Sequence, residues 1–103
     1  ANLPFYVTGE SYAGHYVPAV SHRIFQGNTN KEGSYINMKG LAIGNGLVSP
    51  VHQYGDYVPF AADNNVITSA QAAALNGTTA SCVSLIASNS PLAQLICNTI
   101  VST

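Results

Sequence analysis

The sequence predicts an α/β chain, and three observations carry that expectation. Phe5 to Thr8 is a short apolar run that stops at Gly9-Glu10-Ser11-Tyr12-Ala13, and Tyr35 to Ile43 is a second run that stops at Gly44-Asn45-Gly46. Between them apolar residues recur at helical spacing. After Pro50 the composition shifts toward Ala, Ser, Thr and Asn, with helix signals and no further strand pattern. Residues 1–50 therefore read as a strand-turn-helix-strand unit, and residues 51–103 as a helical region.

The first strand, Phe5 to Thr8, is apolar throughout, as expected of a buried parallel strand. In the helix that follows, Tyr16, Val20 and Ile24 fall at i, i+4 and i+8, with Val17 and Phe25 widening the stripe and Ser21, Arg23 and Gln26 elsewhere on the wheel. Pro18 removes the helical hydrogen bond of the Gly14 carbonyl, so a distorted first turn from Tyr12 to Val17 is expected, with regular helix beyond. Gly27 is the expected stop, and Gly27 to Gly33 a polar surface loop. Tyr35 to Ile43 is the second strand, parallel to the first, which brings Ser11 and the Gly44-Asn45-Gly46 turn to one sheet edge. Three helices are expected after Pro50: Asp56 to Asn64, one opened by Thr68-Ser69-Ala70-Gln71, and one opened by Ser90-Pro91, with Leu92, Leu95, Ile96 and Ile100 as its apolar stripe.

Gly9-Glu10-Ser11-Tyr12-Ala13 has the spacing of a nucleophile elbow, in which a strand hands over abruptly to a helix and the serine hydroxyl is pushed clear of the sheet edge. The tight turn demands small residues two positions either side of the serine. Gly9 meets the generic pattern, and Ala13 departs from it by one methyl group. The other reading of Ser11 is a helix N-cap.

Phe5-Tyr6-Val7-Thr8-Gly9-Glu10-Ser11-Tyr12-Ala13-Gly14-His15-Tyr16-Val17-Pro18 closely resembles the active-serine segment of the serine carboxypeptidases, a branch of the α/β-hydrolases. Leu41-Ala42-Ile43-Gly44-Asn45-Gly46-Leu47, then Pro50 and Gln53-Tyr54, resembles that family's next strand and the start of its helical insertion. The resemblance is tight from Leu3 to about Pro59. It implies a partial α/β-hydrolase fold over residues 1–50 and the beginning of a helical lid over 51–103. It also implies Ser11 as nucleophile, the Tyr12 backbone N–H as half of an oxyanion hole, and Glu10 in a carboxyl pair that binds the free C-terminal carboxylate of a peptide. One carboxyl of such a pair must be protonated to donate to an anion, which favours acid pH. Apart from the resemblance, Glu10 is simply an acidic residue favoured at a helix N-terminus. Leu47, Tyr54 and Tyr57 resemble positions lining the pocket for the residue before the scissile bond, and ordinary packing explains them equally.

A serine hydroxyl needs a base, itself oriented by a carboxylate. In this fold the order is Ser, acid, His. His15 lies four residues past Ser11 in the turn leaving the elbow, His22 recedes along the helix, and no His follows Asp56 or Asp63. The triad acid and base are expected outside these 103 residues, and the chain, which opens at Ala1 directly into a strand, reads as an internal piece of a larger enzyme that is inactive alone. The remainder of its own chain is thus an expected partner, with peptide and protein C-termini as substrate. Two alternatives stand: an acyltransferase of the same family, in which an alcohol replaces water, and a vestigial or binding protein that keeps the elbow as scaffold. A carboxylesterase or lipase would give Glu10 no role.

Charged residues are only 7%, three Lys and Arg against four Asp and Glu, so there is no basic face for nucleic acid or anionic lipid. Apolar residues make up 47%, yet no run approaches the roughly 20 residues of a membrane span. Cys82 and Cys97 do not have metal-site spacing and no cofactor is expected. They are either two buried thiols or a disulfide closing a loop of about 15 residues, worth at most about 3 kcal/mol. The resemblance favours the bridge and a secretory-pathway enzyme, vacuolar, lysosomal or secreted. Asn76-Gly77-Thr78 is an N-glycosylation sequon that agrees with that compartment.

Overall fold

The computed structural model describes residues 2–102. Contacts divide the chain at Val48/Ser49 into two compact units.

The first unit contains strand β1 (Phe5–Glu10), helix α1 (Ala13–Thr29) and strand β2 (Met38–Gly44). β1 and β2 pair in parallel, with Tyr6 opposite Gly40, Thr8 opposite Ala42 and Glu10 opposite Gly44. Side chains alternate across the sheet. Gly9 faces α1, because a Cβ there would stand 2.5 Å from the Ala13 Cβ and 3.2 Å from a Val17 methyl. Thr8 and Glu10 therefore lie on the opposite face.

The buried side of α1 shares Val17 with the predicted stripe and otherwise departs from it. Tyr16 is 63% and Val20 48% exposed, whereas Gly14, Val17 and Ser21 are buried. The cause is local: a Cβ on Gly14 would lie 2.5 Å from the Leu47 carbonyl oxygen, so the helix approaches its neighbour through its smallest residues rather than its largest. The distortion expected from Tyr12 to Val17 shrinks to tight i to i+3 bonds from the Gly14 N–H to the Ser11 carbonyl and from the His15 N–H to the Tyr12 carbonyl. Helix then runs from Ala13 straight through Pro18.

α1 also passes its predicted stop at Gly27. It ends where Lys31 turns left-handed at φ 57°, with the Glu32 N–H on the Gly27 carbonyl and the Lys31 N–H on the Asn28 carbonyl, a Schellman closure. The following connection is shifted about three residues along the chain and delays β2 to Met38. Asn28 pins it, donating to the Ile36 carbonyl at 2.7 Å and accepting from the Ile36 N–H at 3.0 Å.

The second unit is three helices: α2 (Pro50–Asp63), α3 (Ser69–Ala87) and α4 (Ala93–Val101). α2 starts six residues before the predicted Asp56, with Pro50 in the first turn, where its missing N–H costs nothing. Gly55 and Pro59 lie inside it. Thr68 caps α3 as expected, through a full capping box with Gln71. α4 begins at Ala93 rather than at Ser90-Pro91, which form the preceding turn. Its stripe is narrower than predicted: Ile96 and Ile100 pack inward, while Leu92 and Leu95 are exposed. α2 and α3 also end in Schellman closures, with Asn65 and Asn89 left-handed, a conformation asparagine tolerates better than most residues.

Val58, Cys82, Cys97 and Ile100 form the buried core of this unit, surrounded by Tyr54, Ile67, Ala72, Leu75, Ile86 and Ile96. Cys82 and Cys97 are joined as a disulfide between α3 and α4.

Candidate active site

The elbow is built by backbone geometry. β1 ends at Glu10, and the next residue, Ser11, takes φ 60°, a left-handed conformation that a side chain adopts only under constraint. Its N–H donates to the Gly44 carbonyl at 3.0 Å, and its carbonyl accepts from the Gly14 N–H at 3.0 Å and the Leu47 N–H at 2.9 Å. Small residues make this approach possible. A Cβ on Gly46 would run into a methyl of Ile43 and stand 3.2 Å from the Gly14 Cα.

The Ser11 side chain is exposed, and among the described residues its Oγ makes no hydrogen bond. Nor does the Tyr12 N–H, at the positive end of α1, find a backbone acceptor among them. The Tyr12 ring stacks on His15 with centroids 4.8 Å apart and meets Tyr16 edge-on at 5.0 Å. His15 is thus engaged with Tyr12 rather than hydrogen-bonded to the serine. His22 is exposed along α1. His52 stands on α2, with its Nδ1 2.7 Å from the Ser49 Oγ.

Glu10 is exposed and lines an open depression of about 550 Å³ with Thr8, Gly9, Ala42, Gly44 and Asn45. Leu47 is half-buried, and its backbone forms part of the elbow. Tyr54 and Tyr57 stand on α2 in the second unit, ring edge to face at 5.3 Å. Tyr54 packs on the buried core, and Tyr57 borders a cleft of about 50 Å³ with Val58, Ala61, Ile67, Leu75 and Ile100. Asn76 is exposed within α3. No described helix is long and apolar enough to cross a membrane.

Asn45 was absent from the predicted site residues, yet it sits at φ 43° beside the elbow and borders the depression that holds Glu10. Its position between two glycines at a strand end is the signal for a left-handed turn residue.

A strand, a serine forced left-handed, a helix and a parallel return strand constitute the nucleophile-bearing unit of an α/β-hydrolase fold. The family model described as serine carboxypeptidase matches residues 1–101, and the chain belongs to that family. It is 56% identical over 78 residues to Serine carboxypeptidase-like 48 of Arabidopsis thaliana, covering 76% of this chain and 15% of that protein. It is 44% identical over 103 residues to Serine carboxypeptidase 3 of Hordeum vulgare, covering 93% of this chain and 20% of that one. The crystal structure of Kex1(delta)p, a prohormone-processing carboxypeptidase from Saccharomyces cerevisiae, superimposes with a TM-score of 0.76 at 30% identity, over 94% of this chain and 22% of that one. The chain therefore spans about a fifth of the length of these relatives.

Proposed function

We propose that the chain carries the nucleophile of a serine carboxypeptidase that removes C-terminal residues from peptides and proteins through an acyl-enzyme on Ser11. The observation that carries this reading is Ser11 at φ 60° between β1 and α1, its exposed hydroxyl without a hydrogen bond among the described residues and the neighbouring Tyr12 N–H without a backbone acceptor among them. Ser11 Oγ attacks the last peptide carbonyl as a base takes its proton, and the resulting oxyanion accepts from the Tyr12 N–H. The carbon-nitrogen bond then breaks, the base returns the proton to the departing amine, and water releases the acyl group.

The base and its carboxylate partner belong to chain beyond these 103 residues. The uncovered sheet supports this: parallel sheets are normally covered on both faces, and here α1 lies on one while Tyr6, 61% exposed, stands on the other. Glu10 binds the substrate's terminal carboxylate when the carboxyl pair is singly protonated, so activity is highest at acid pH. Leu47, Tyr54 and Tyr57 line the pocket for the residue before the scissile bond, and the second unit serves as the lid. The disulfide fits an oxidising, secretory compartment, and Asn76 carries the glycan.

The test uses the full-length gene product. A fluorophosphonate probe labels Ser11 in the wild type, and Ser11→Ala lowers hydrolysis of a blocked dipeptide by about 10⁴-fold or more. Labelling at another residue, or full activity in Ser11→Ala, overturns the reading.

A further inference from the structure

A left-handed serine persists only where its surroundings over-determine it. At Ser11 both backbone polar groups are taken by one short segment: the N–H by the Gly44 carbonyl at 3.0 Å and the carbonyl by the Leu47 N–H at 2.9 Å. For a carbonyl and an N–H three residues apart to grip the same residue, the chain between them must reverse. Asn45 makes that reversal at φ 43°. Gly46 must lack a side chain, because a Cβ would meet Ile43 and crowd the Gly14 Cα at 3.2 Å. The adjacent Tyr12 N–H is left out of this grip.

We propose that the Gly44–Leu47 turn is a clamp and that Asn45 and Gly46 are positioning residues for the nucleophile. The turn holds the Ser11 backbone left-handed, so that the hydroxyl and the Tyr12 N–H face the same reacting carbonyl, and neither residue needs to touch substrate. The proposal rests on Ser11 being the nucleophile, and the experiment separates the two ideas.

In the full-length enzyme, Asn45→Val opposes positive φ with a β-branched side chain, whereas Asn45→Gly reaches it freely. Gly46→Ala tests the close approach independently. Asn45→Val and Gly46→Ala are expected to slow fluorophosphonate labelling of Ser11 and kcat by about 10 to 100-fold, with KM within about twofold, as expected when alignment rather than ground-state binding is lost. Asn45→Gly recovers most of the rate lost in Asn45→Val. Amide exchange at Ser11 and Leu47 in the wild type is slow, and it accelerates in both damaging variants.

Wild-type labelling rates in Asn45→Val and Gly46→Ala, or a loss confined to KM, would overturn the clamp. So would rapid exchange at Leu47 in the wild type, a measurement that stands even if the variants fail to fold. An Asn45→Gly enzyme as slow as Asn45→Val would assign the effect to the asparagine side chain and likewise overturn it. If wild-type Ser11 is not labelled at all, the nucleophile reading falls, and the clamp is then judged on the exchange of Ser11 and Leu47 alone.

Discussion

The two units achieve order by different means. In the second, helices α2, α3 and α4 enclose their own core, and its most buried side chains, Cys82 and Cys97 at 0% and 2% exposure, are covalently joined. In the first, the elbow is defined instead by backbone hydrogen bonds and by missing side chains at Gly9, Gly14 and Gly46. Packing of large side chains defines a scaffold but leaves the backbone some freedom to adjust. A reacting hydroxyl needs its backbone held closely, and main-chain bonds around a left-handed residue do that directly.

If the second unit depends on its own core, removing the bridge should loosen that unit and leave the elbow alone. The disulfide spans 15 residues, for which chain entropy gives about 3 kcal/mol. Cys82→Ala/Cys97→Ala in the full-length protein should therefore speed amide exchange across α3 and α4 by about two orders of magnitude, with Ser11 labelled at nearly the wild-type rate. Equal acceleration at the Ser11 and Leu47 amides would break the comparison, because the elbow would then draw its order from the helical unit.

The same contrast explains what was legible in the sequence. The parallel pair, the elbow and the Thr68 cap rest on short-range rules tied to particular residue types, and each was found. On α1 the expected Val17 is buried, but Tyr16 and Val20 are exposed and Gly14 and Ser21 buried, because periodicity assumes that large apolar residues face inward whereas the helix makes its close approach at Gly14. Leu92 and Leu95 failed for a related reason. Apolar spacing cannot show that Cys97, rather than a leucine, is the residue that faces a neighbouring helix. The end of α1 was missed because Lys31, rather than the expected Gly27, turns left-handed to close it, whereas the end expected for α2 at Asn64 matches its C-cap. Asn45 was seen only as part of a turn, since its role depends on Leu47 reaching back to Ser11, a contact between residues 36 positions apart.

Thr68 provides a smaller test of the helical unit. Its hydroxyl accepts from the Gln71 N–H at 3.2 Å, while the Gln71 side chain accepts from the Thr68 N–H at 2.8 Å. Losing one such cap costs about 1 kcal/mol. Thr68→Ala should then speed exchange in the first turn of α3 by about fivefold and leave α4 unchanged. A loss spread evenly over α2, α3 and α4 would instead mean that the three helices open as one cooperative unit, which would sharpen the contrast with the first unit.

The smallest effect is expected at the far end of the first unit, where side chains alone make the contact. Glu32 accepts from Arg23 at 2.5 Å and from Asn30 at 3.1 Å. The Arg23 hydrogen bond, then the Asn30 hydrogen bond, then the Arg23 charge hold its carboxyl below the usual glutamate range. A carboxyl with a lowered folded-state pKa stabilises the fold above its unfolded value, and that contribution is lost as pH falls through the lowered one. The pair is exposed, 65% at Arg23 and 46% at Glu32, so solvent and salt screen most of the interaction. Glu32→Gln should lower the Tm slightly at neutral pH, less so in high salt, with the difference closing in acid as the wild-type carboxylate becomes protonated. Slow exchange at Ser11 and Leu47 should be the same in both proteins throughout. A Tm difference that widens as the pH falls would reverse the sign assigned to Glu32. Faster exchange at the elbow in Glu32→Gln would show that backbone bonding does not hold the nucleophile independently of the surface at the other end of α1.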